Sequence, residues 1–238
     1  MVTNAHVVNG AVELSVRKAF GKKKYRTKVM AVGHQCDLAM LELPSALQSK
    51  VKPVEMVAAW LNVGERVYVM GFPQMGEEIC NTDGVIARRE LDEYMHSSWY
   101  GLQYGVSAAI NPGNSGSSAF NARGSLVGVP FQGADNSQGF IIPVEVLQHF
   151  LADCAAKRQP AFPDLGLTWQ TMENRRLRQR YKIPKKTSGV LINKVPPLSS
   201  AQSLILPGDV ILSVSGYKVS NEGRVKIKGS WVDFEYLL

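Results

Sequence analysis

The side chains that could do chemistry begin with Ser115. It sits in Ala108-Ala-Ile-Asn-Pro-Gly-Asn-Ser-Gly-Ser-Ser-Ala-Phe120, whose Gly, Asn and Pro content predicts a tight, irregular loop after an apolar strand. A hydroxyl on such a loop, ringed by backbone N–H groups, suits a nucleophile beside an oxyanion hole. Gly113-Asn-Ser-Gly116 alone could simply be a hairpin turn, so the reading depends on partners elsewhere. A serine hydroxyl is a weak nucleophile at neutral pH and needs a base, usually an imidazole held by a carboxylate. Val2-Thr-Asn-Ala-His-Val-Val8 puts His6 at the end of an apolar, strand-like run, and Cys36-Asp-Leu-Ala-Met-Leu-Glu-Leu43 puts Asp37 at the head of another. Taken singly, His6 reads as a partly buried core histidine and Asp37 as a turn cap. The three contexts together, in the order His, Asp, Ser, point to acyl transfer.

Thr3-Asn-Ala-His-Val-Val8, Cys36-Asp-Leu-Ala-Met-Leu41 and Asn111-Pro-Gly-Asn-Ser-Gly116 resemble the HtrA/Deg family of ATP-independent serine proteases. The resemblance continues through Val69-Met-Gly-Phe-Pro73, Gly84-Val-Ile86, Gly128-Val-Pro-Phe-Gln132, Gly139-Phe-Ile-Ile-Pro143 and Leu206-Pro-Gly-Asp-Val-Ile211. Phe162 to Gly166 and Met172-Glu-Asn174 look most like the plant-type branch found in chloroplasts, mitochondria and nuclei. The resemblance implies a mainly β fold: two chymotrypsin-like antiparallel β-barrels, the first incomplete, then a PDZ-like α/β domain. It also implies a homo-oligomer built from trimers. Against the family pattern, strands before the histidine and the end of the last domain are expected to be missing. The expected boundaries are 1–156 for the protease domain, 157–165 for a linker and 166–238 for the PDZ domain.

On this resemblance His6, Asp37 and Ser115 form the triad, with backbone N–H groups of Gly113, Asn114 and Ser115 around the oxyanion. Ala109, Ile110 and Asn111, with Phe131 and Gln132, are expected to line the substrate pocket. No carboxylate lies at Ala109-Ile110 to attract Lys or Arg, so an apolar pocket for small aliphatic residues is expected. In a PDZ domain an extended or C-terminal peptide adds to a strand, here near Gly189, Val190, Leu191 and Ile192. Unfolded or damaged proteins are the implied substrates, with no metal and no cofactor. One departure stands out. The family reads Gly-Asn-Ser-Gly-Gly-Pro where this chain has Gly113-Asn-Ser-Gly-Ser-Ser118. A serine at 117 would be strained if the backbone there required positive φ, and Ser118 loosens a turn that proline would hold. A second function follows from that departure: a catalytically weak or inactive chaperone that only binds peptides.

Composition limits the alternatives. A hydrophobic content of 45% is ample for a packed core, and no apolar run is long enough to span a membrane. The three cysteines, Cys36, Cys80 and Cys154, have no CxxC spacing, which argues against a zinc site or a disulfide framework and fits a reducing compartment. The net charge of +7 concentrates at Lys22-Lys-Lys24 with Arg26 and at Arg175-Arg-Leu-Arg178 with Arg180. Neither cluster has interleaved aromatics or a recognition motif, so nucleic-acid binding is not expected.

The positioning elements follow from periodicity. Val12, Leu14 and Val16 alternate with polar residues as a half-buried strand, and Tyr25 to Val32 reads as a second. Leu38 to Leu43 is a strand stopped by Pro44. Ser45 to Ala59 connects to a second barrel that starts near Val63, with strands at Arg66 to Met70, Ile79 to Arg89, Leu102 to Ile110, Ser125 to Phe131 and Gly139 to Ile142. A turn is expected at Asp83-Gly84. His34 and His96 read as loop residues. Val146, Leu147, Phe150, Leu151 and Cys154 share one helical face over Pro143 to Lys157, leaving His149 to solvent. Met172 to Tyr181 predicts a charged helix, and Ser188 to Asn193 and Leu206 to Val214 predict strand units.

Overall fold

Burial alternates with period two in strands such as Leu14–Arg17, Arg66–Gly71 and Arg224–Ile227, and is continuous in Tyr100–Val106 and Gln138–Pro143. The computed structural model describes residues 1–57, 60–73, 76, 78–135 and 138–238. They divide into two units, Met1–Phe162 and Pro163–Leu238. The boundary falls inside the expected linker. Its first half belongs to the first unit, where Arg158 pairs with Asp153 (2.6 Å) and Phe162 N donates to Gln35 Oε1 (3.1 Å).

The first unit opens with strand β1 (Val2–Asn4) and one helical turn, α1 (Ala5–Val8). A hairpin follows, β2 (Leu14–Arg17) with β3 (Lys24–Thr27), then β4 (Val29–Gly33) and β5 (Leu38–Leu41). The single strand expected over Tyr25 to Val32 is therefore two strands in different sheets. β3 pairs with β2, while β4 joins β1 and β5 in the order β1-β5-β4. This first sheet is open, and it packs Val8, Ala39 and Leu41 under Leu14 and Val32.

After a short helix α2 (Ser45–Gln48) come β6 (Arg66–Gly71), β7 (Cys80–Glu93), β8 (Tyr100–Val106), β9 (Ser118–Asn121), β10 (Leu126–Asp135) and β11 (Gln138–Pro143). These six close into a barrel in the order β10-β11-β8-β7-β6-β9. Val67, Ile86, Tyr104, Val106 and Ile141 fill it at 0–1% exposure. Each such aliphatic side chain stabilises by about 1.5–3 kcal/mol on burial. No turn forms at Asp83-Gly84, because β7 runs straight through it. Gly84 serves close approach instead: a Cβ there would lie 2.3 Å from Ala108 N. Helix α3 (Val144–Ala155) closes the unit, burying Val146, Leu147 and Phe150 as the stripe predicts. Phe150 packs against Gly33, where a Cβ would lie 2.9 Å from its ring, so the helix is clamped onto the first sheet.

In the second unit β12 (Thr168–Gln170), β13 (Val190–Lys194) and β14 (Val210–Ile211) form one sheet in that order. Helix α4 (Arg175–Arg180) is capped by Asn174, whose Oδ1 accepts from Arg176 N (2.9 Å) and Leu177 N (3.2 Å). Two small hairpins complete it, β15 (Ser213–Val214) with β16 (Tyr217–Lys218) and β17 (Arg224–Ile227) with β18 (Ser230–Asp233).

Candidate active site

Asp37 is fixed first. It lies at the entry to β5 with φ of +52°, a left-handed conformation that aspartate tolerates better than most residues. Its carbonyl oxygen accepts from Ala5 N (3.0 Å) and Asn4 Nδ2 (2.9 Å), which ends β1 and turns the chain into α1. His6 therefore stands on a helical turn and not on the end of a strand. The Asp37 carboxylate accepts from His6 N at Oδ1 (2.9 Å) and lies 2.7 Å from His6 Nδ1 at Oδ2. An ionised carboxylate can only accept, so the proton sits on Nδ1 and the Nε2 lone pair is left to face the cleft. Asp37 is 1% exposed, and the imidazole it holds is 22% exposed, so water screens this pair little.

Ser115 arrives from the barrel, on the loop between β8 and β9. Positive φ occurs at Gly113 (+99°) and Gly116 (+75°), both glycines, and Ser117 lies outside that region. The strain considered for Ser117 is therefore absent. Asn114 N donates to Asn111 O (3.0 Å) and Ser117 N to Asn114 O (3.1 Å), so the loop is internally hydrogen-bonded. That use engages the Asn114 N–H, which was expected in the oxyanion set. Gly116 N donates to Pro130 O (2.9 Å), tying the loop to β10. On its other side Gly116 abuts β1: a Cβ there would lie 2.1 Å from Thr3 Oγ1 and 3.0 Å from Asn4 N. This contact brings the serine loop against the strand that leads into the His6 turn.

His6 and Ser115 line one cavity of about 380 Å³. Ile110, Asn111, Phe131 and Gln132 line it and Ala109 does not; the Ala109 carbonyl oxygen accepts from Thr82 Oγ1 (3.2 Å). The rest of the wall, including Met95, His96 and Gly133, gave no sequence signal. Met95 and His96 ride the loop between β7 and β8, whose root is Tyr94. Its hydroxyl donates to Leu102 O, its ring packs on Phe131 (4.5 Å), and burial pushes its phenol well above the usual range, keeping it neutral. The loop is further held by Met95 N to Gln132 Oε1 (3.0 Å), Ser97 Oγ to Gln35 O (2.8 Å) and Trp99 on Phe162 (4.6 Å). His149 also packs on Phe162 and pairs with Ala161 O (2.8 Å), so it anchors the connector and is not simply solvated.

The profile of the trypsin-like peptidase domain family matches residues 1–129. The chain belongs to that family. Within it the chain is of the HtrA/Deg type, similar to the plant Do-like members. It is 36% identical to protease Do-like 4, mitochondrial, of Arabidopsis thaliana, over 96% of this chain and 44% of that protein. It is also 36% identical to protease Do-like 2, chloroplastic, of the same organism, over all of this chain and 40% of the relative. The chain thus spans under half the length of these curated relatives. In fold it resembles the HtrA-type protease AlgW with a tripeptide, at a TM-score of 0.74 and 22% identity over 97% of this chain and 82% of that one.

The expected peptide groove at Gly189 to Ile192 does not hold. β13 is the central strand: Ile192 pairs with Trp169 and Val190 with Ile211, so neither edge is open to an added strand. Val190, Leu191 and Ile192 are buried, and a Cβ at Gly189 would lie 2.3 Å from Ile211 O. The sheet edges fall on β12 and β14. In the basic cluster of α4, Arg178 is spent on structure, donating to Asn221 Oδ1 (2.6 Å) and Thr187 O (2.5 Å).

Proposed function

We propose that this chain is the catalytic part of an ATP-independent serine endopeptidase acting on unfolded or damaged proteins. The observation that carries it is the pairing of buried Asp37 with His6, which lines the same cavity as Ser115. Ser115 Oγ attacks the peptide carbonyl carbon while His6 Nε2 takes its proton. The tetrahedral oxyanion is received by the N–H groups of Gly113 and Ser115. Collapse breaks the C–N bond, and His6 returns the proton to the leaving amine. Water, deprotonated by the same nitrogen, then releases the acyl group and regenerates Ser115. Asp37 holds the tautomer and stabilises the imidazolium. Ile110 and Phe131 make an apolar wall, and among the described residues no carboxylate lines the cavity, which favours Val, Ala or Ile before the scissile bond.

The second unit is read as a PDZ-type domain that binds extended or C-terminal peptides. Assembly into trimer-based oligomers follows from the family resemblance, and residence in a mitochondrion or chloroplast is carried over from the names of the relatives. The test is labelling by a fluorophosphonate probe together with casein cleavage. Both are expected in the wild-type chain and lost in Ser115→Ala. Casein cleavage at the wild-type rate in Ser115→Ala, or no labelling of a folded chain, would overturn the reading.

A further inference from the structure

A second imidazole stands over the first. The His96 ring stacks on the His6 ring with centroids 3.9 Å apart and planes 21° from parallel. One ligating atom from each of His6, Asp37 and His96 lies within 4.8 Å of the others. Two imidazoles and a carboxylate form a donor set suited to borderline first-row cations, Zn²⁺ foremost.

The three donors play unequal parts. Both Asp37 oxygens are engaged by His6, one with its N–H and one with its Nδ1, and the carboxylate is 1% exposed. It is an outer partner, fixing the ring and its tautomer, as in carboxylate–histidine–zinc arrangements. The same arrangement that readies Nε2 as a base readies it as a metal ligand. His96 supplies the second nitrogen. It is exposed, while the loop beneath it is held by Tyr94, Met95 and Ser97, so its ring can turn about the side-chain torsions without moving the backbone. Zn–N bonds of about 2.0–2.1 Å in a tetrahedral site place two nitrogens roughly 3.3 Å apart. The rings stack 21° from parallel, so the His96 ring turns out of the stack to bring its nitrogen and His6 Nε2 onto one ion.

We propose that His6 and His96 chelate a Zn²⁺-class cation across the catalytic cleft, with Asp37 as outer carboxylate and solvent in the remaining positions. Bound metal takes the Nε2 lone pair that proton transfer needs, so it inhibits reversibly. The inhibition rests on the peptidase reading, whereas the metal site does not. Zn²⁺ is titrated calorimetrically into the Ser115→Ala chain, and Co²⁺ is used to read the ligand type from its visible absorption. One site is expected, with nitrogen and oxygen ligands. His96→Gln should weaken it at least about tenfold, since loss of even an outer partner costs 10–100-fold in affinity. In the wild-type chain Zn²⁺ should suppress fluorophosphonate labelling, with recovery on adding a chelator. In His96→Gln the same Zn²⁺ concentration should suppress it far less. Binding unchanged in His96→Gln, binding abolished by Cys80→Ser, or a thiolate spectrum with Co²⁺ would each overturn the proposal. Binding that needs both histidines in a chain that never labels would uphold the site and remove the peptidase reading.

Discussion

Gly116→Ala should cost activity out of proportion to stability. Gly116 has φ of +75°, and its missing Cβ would stand 2.1 Å from Thr3 Oγ1, 3.0 Å from Asn4 N and 3.1 Å from Thr3 Cα. Two costs follow, and they separate. The backbone cost of a left-handed alanine is about 1–2 kcal/mol. For a unit of this size that lowers Tm by roughly 2–8 °C. Gly124 supplies the control: its φ is +80°, and a Cβ there meets nothing within 4 Å. Gly124→Ala therefore carries the backbone cost alone. At position 116 the Cβ must also push apart the serine loop and β1, the strand that leads into His6. Thr3 Oγ1 can rotate away, but Asn4 N and Thr3 Cα are backbone and must shift. A displacement of order 1 Å between nucleophile and base costs about 10²-fold in rate. The rate of fluorophosphonate labelling and the thermal midpoint are measured for both variants. The fall in Tm in Gly116→Ala is expected to be at least that of Gly124→Ala, with labelling slowed by about one to two orders of magnitude only in Gly116→Ala. Equal labelling rates in the two variants would refute the argument that the Gly116–Thr3 contact sets the triad geometry.

Other expectations follow from single contacts. Asp37→Asn should slow casein cleavage by about 10⁴-fold with little change in fold, because the amide presents the wrong hydrogen-bonding partner to Nδ1; a fall under tenfold would show that Asp37 does not set the tautomer. Cys36 should be the last thiol alkylated in the native chain, since burial pushes it up to about 12 and so denies it a thiolate, whereas Cys80 is only half-buried; peptide mapping that finds Cys36 modified as fast as Cys80 would contradict this. Asp153 is held below the usual carboxylate range, chiefly by its hydrogen bond from Arg158. With the folded value lower than the unfolded one, its stabilisation is present above the unfolded carboxylate pKa and is lost as pH falls through the folded value. The Tm gap between wild type and Asp153→Asn should thus hold steady at neutral pH and close in acid; a gap that widens in acid would reverse the sign.

The types and order of the candidate catalytic residues were legible in the chain because the signals are local. Gly, Asn and Pro around Ser115 dictate an irregular loop whatever surrounds it, and positive φ duly falls on Gly113 and Gly116. Arg66–Gly71 was legible for the same reason, since period-two alternation needs only one buried face, whereas Tyr100–Val106 and Gln138–Pro143 are buried on both faces. What lies across from a segment was not legible. Asp83-Gly84 has the composition of a turn, yet Ala108 N packed against Gly84 shows that the glycine serves a crossing. Ser188 to Asn193 reads as a strand, but only the pairing of Trp169 and Ile211 on its two sides makes it central and closes it to a peptide. His96 and His149 look alike in sequence, as polar histidines off any stripe. One stacks on His6 and the other clasps Ala161 and Phe162. Local backbone preference acts over a few residues, whereas these contacts join segments far apart in the chain. Ser97 reaches Gln35, and His96 reaches His6, only because the barrel and the first sheet are packed together. That packing is decided by the sum of many buried side chains, so no short stretch of the chain carries it.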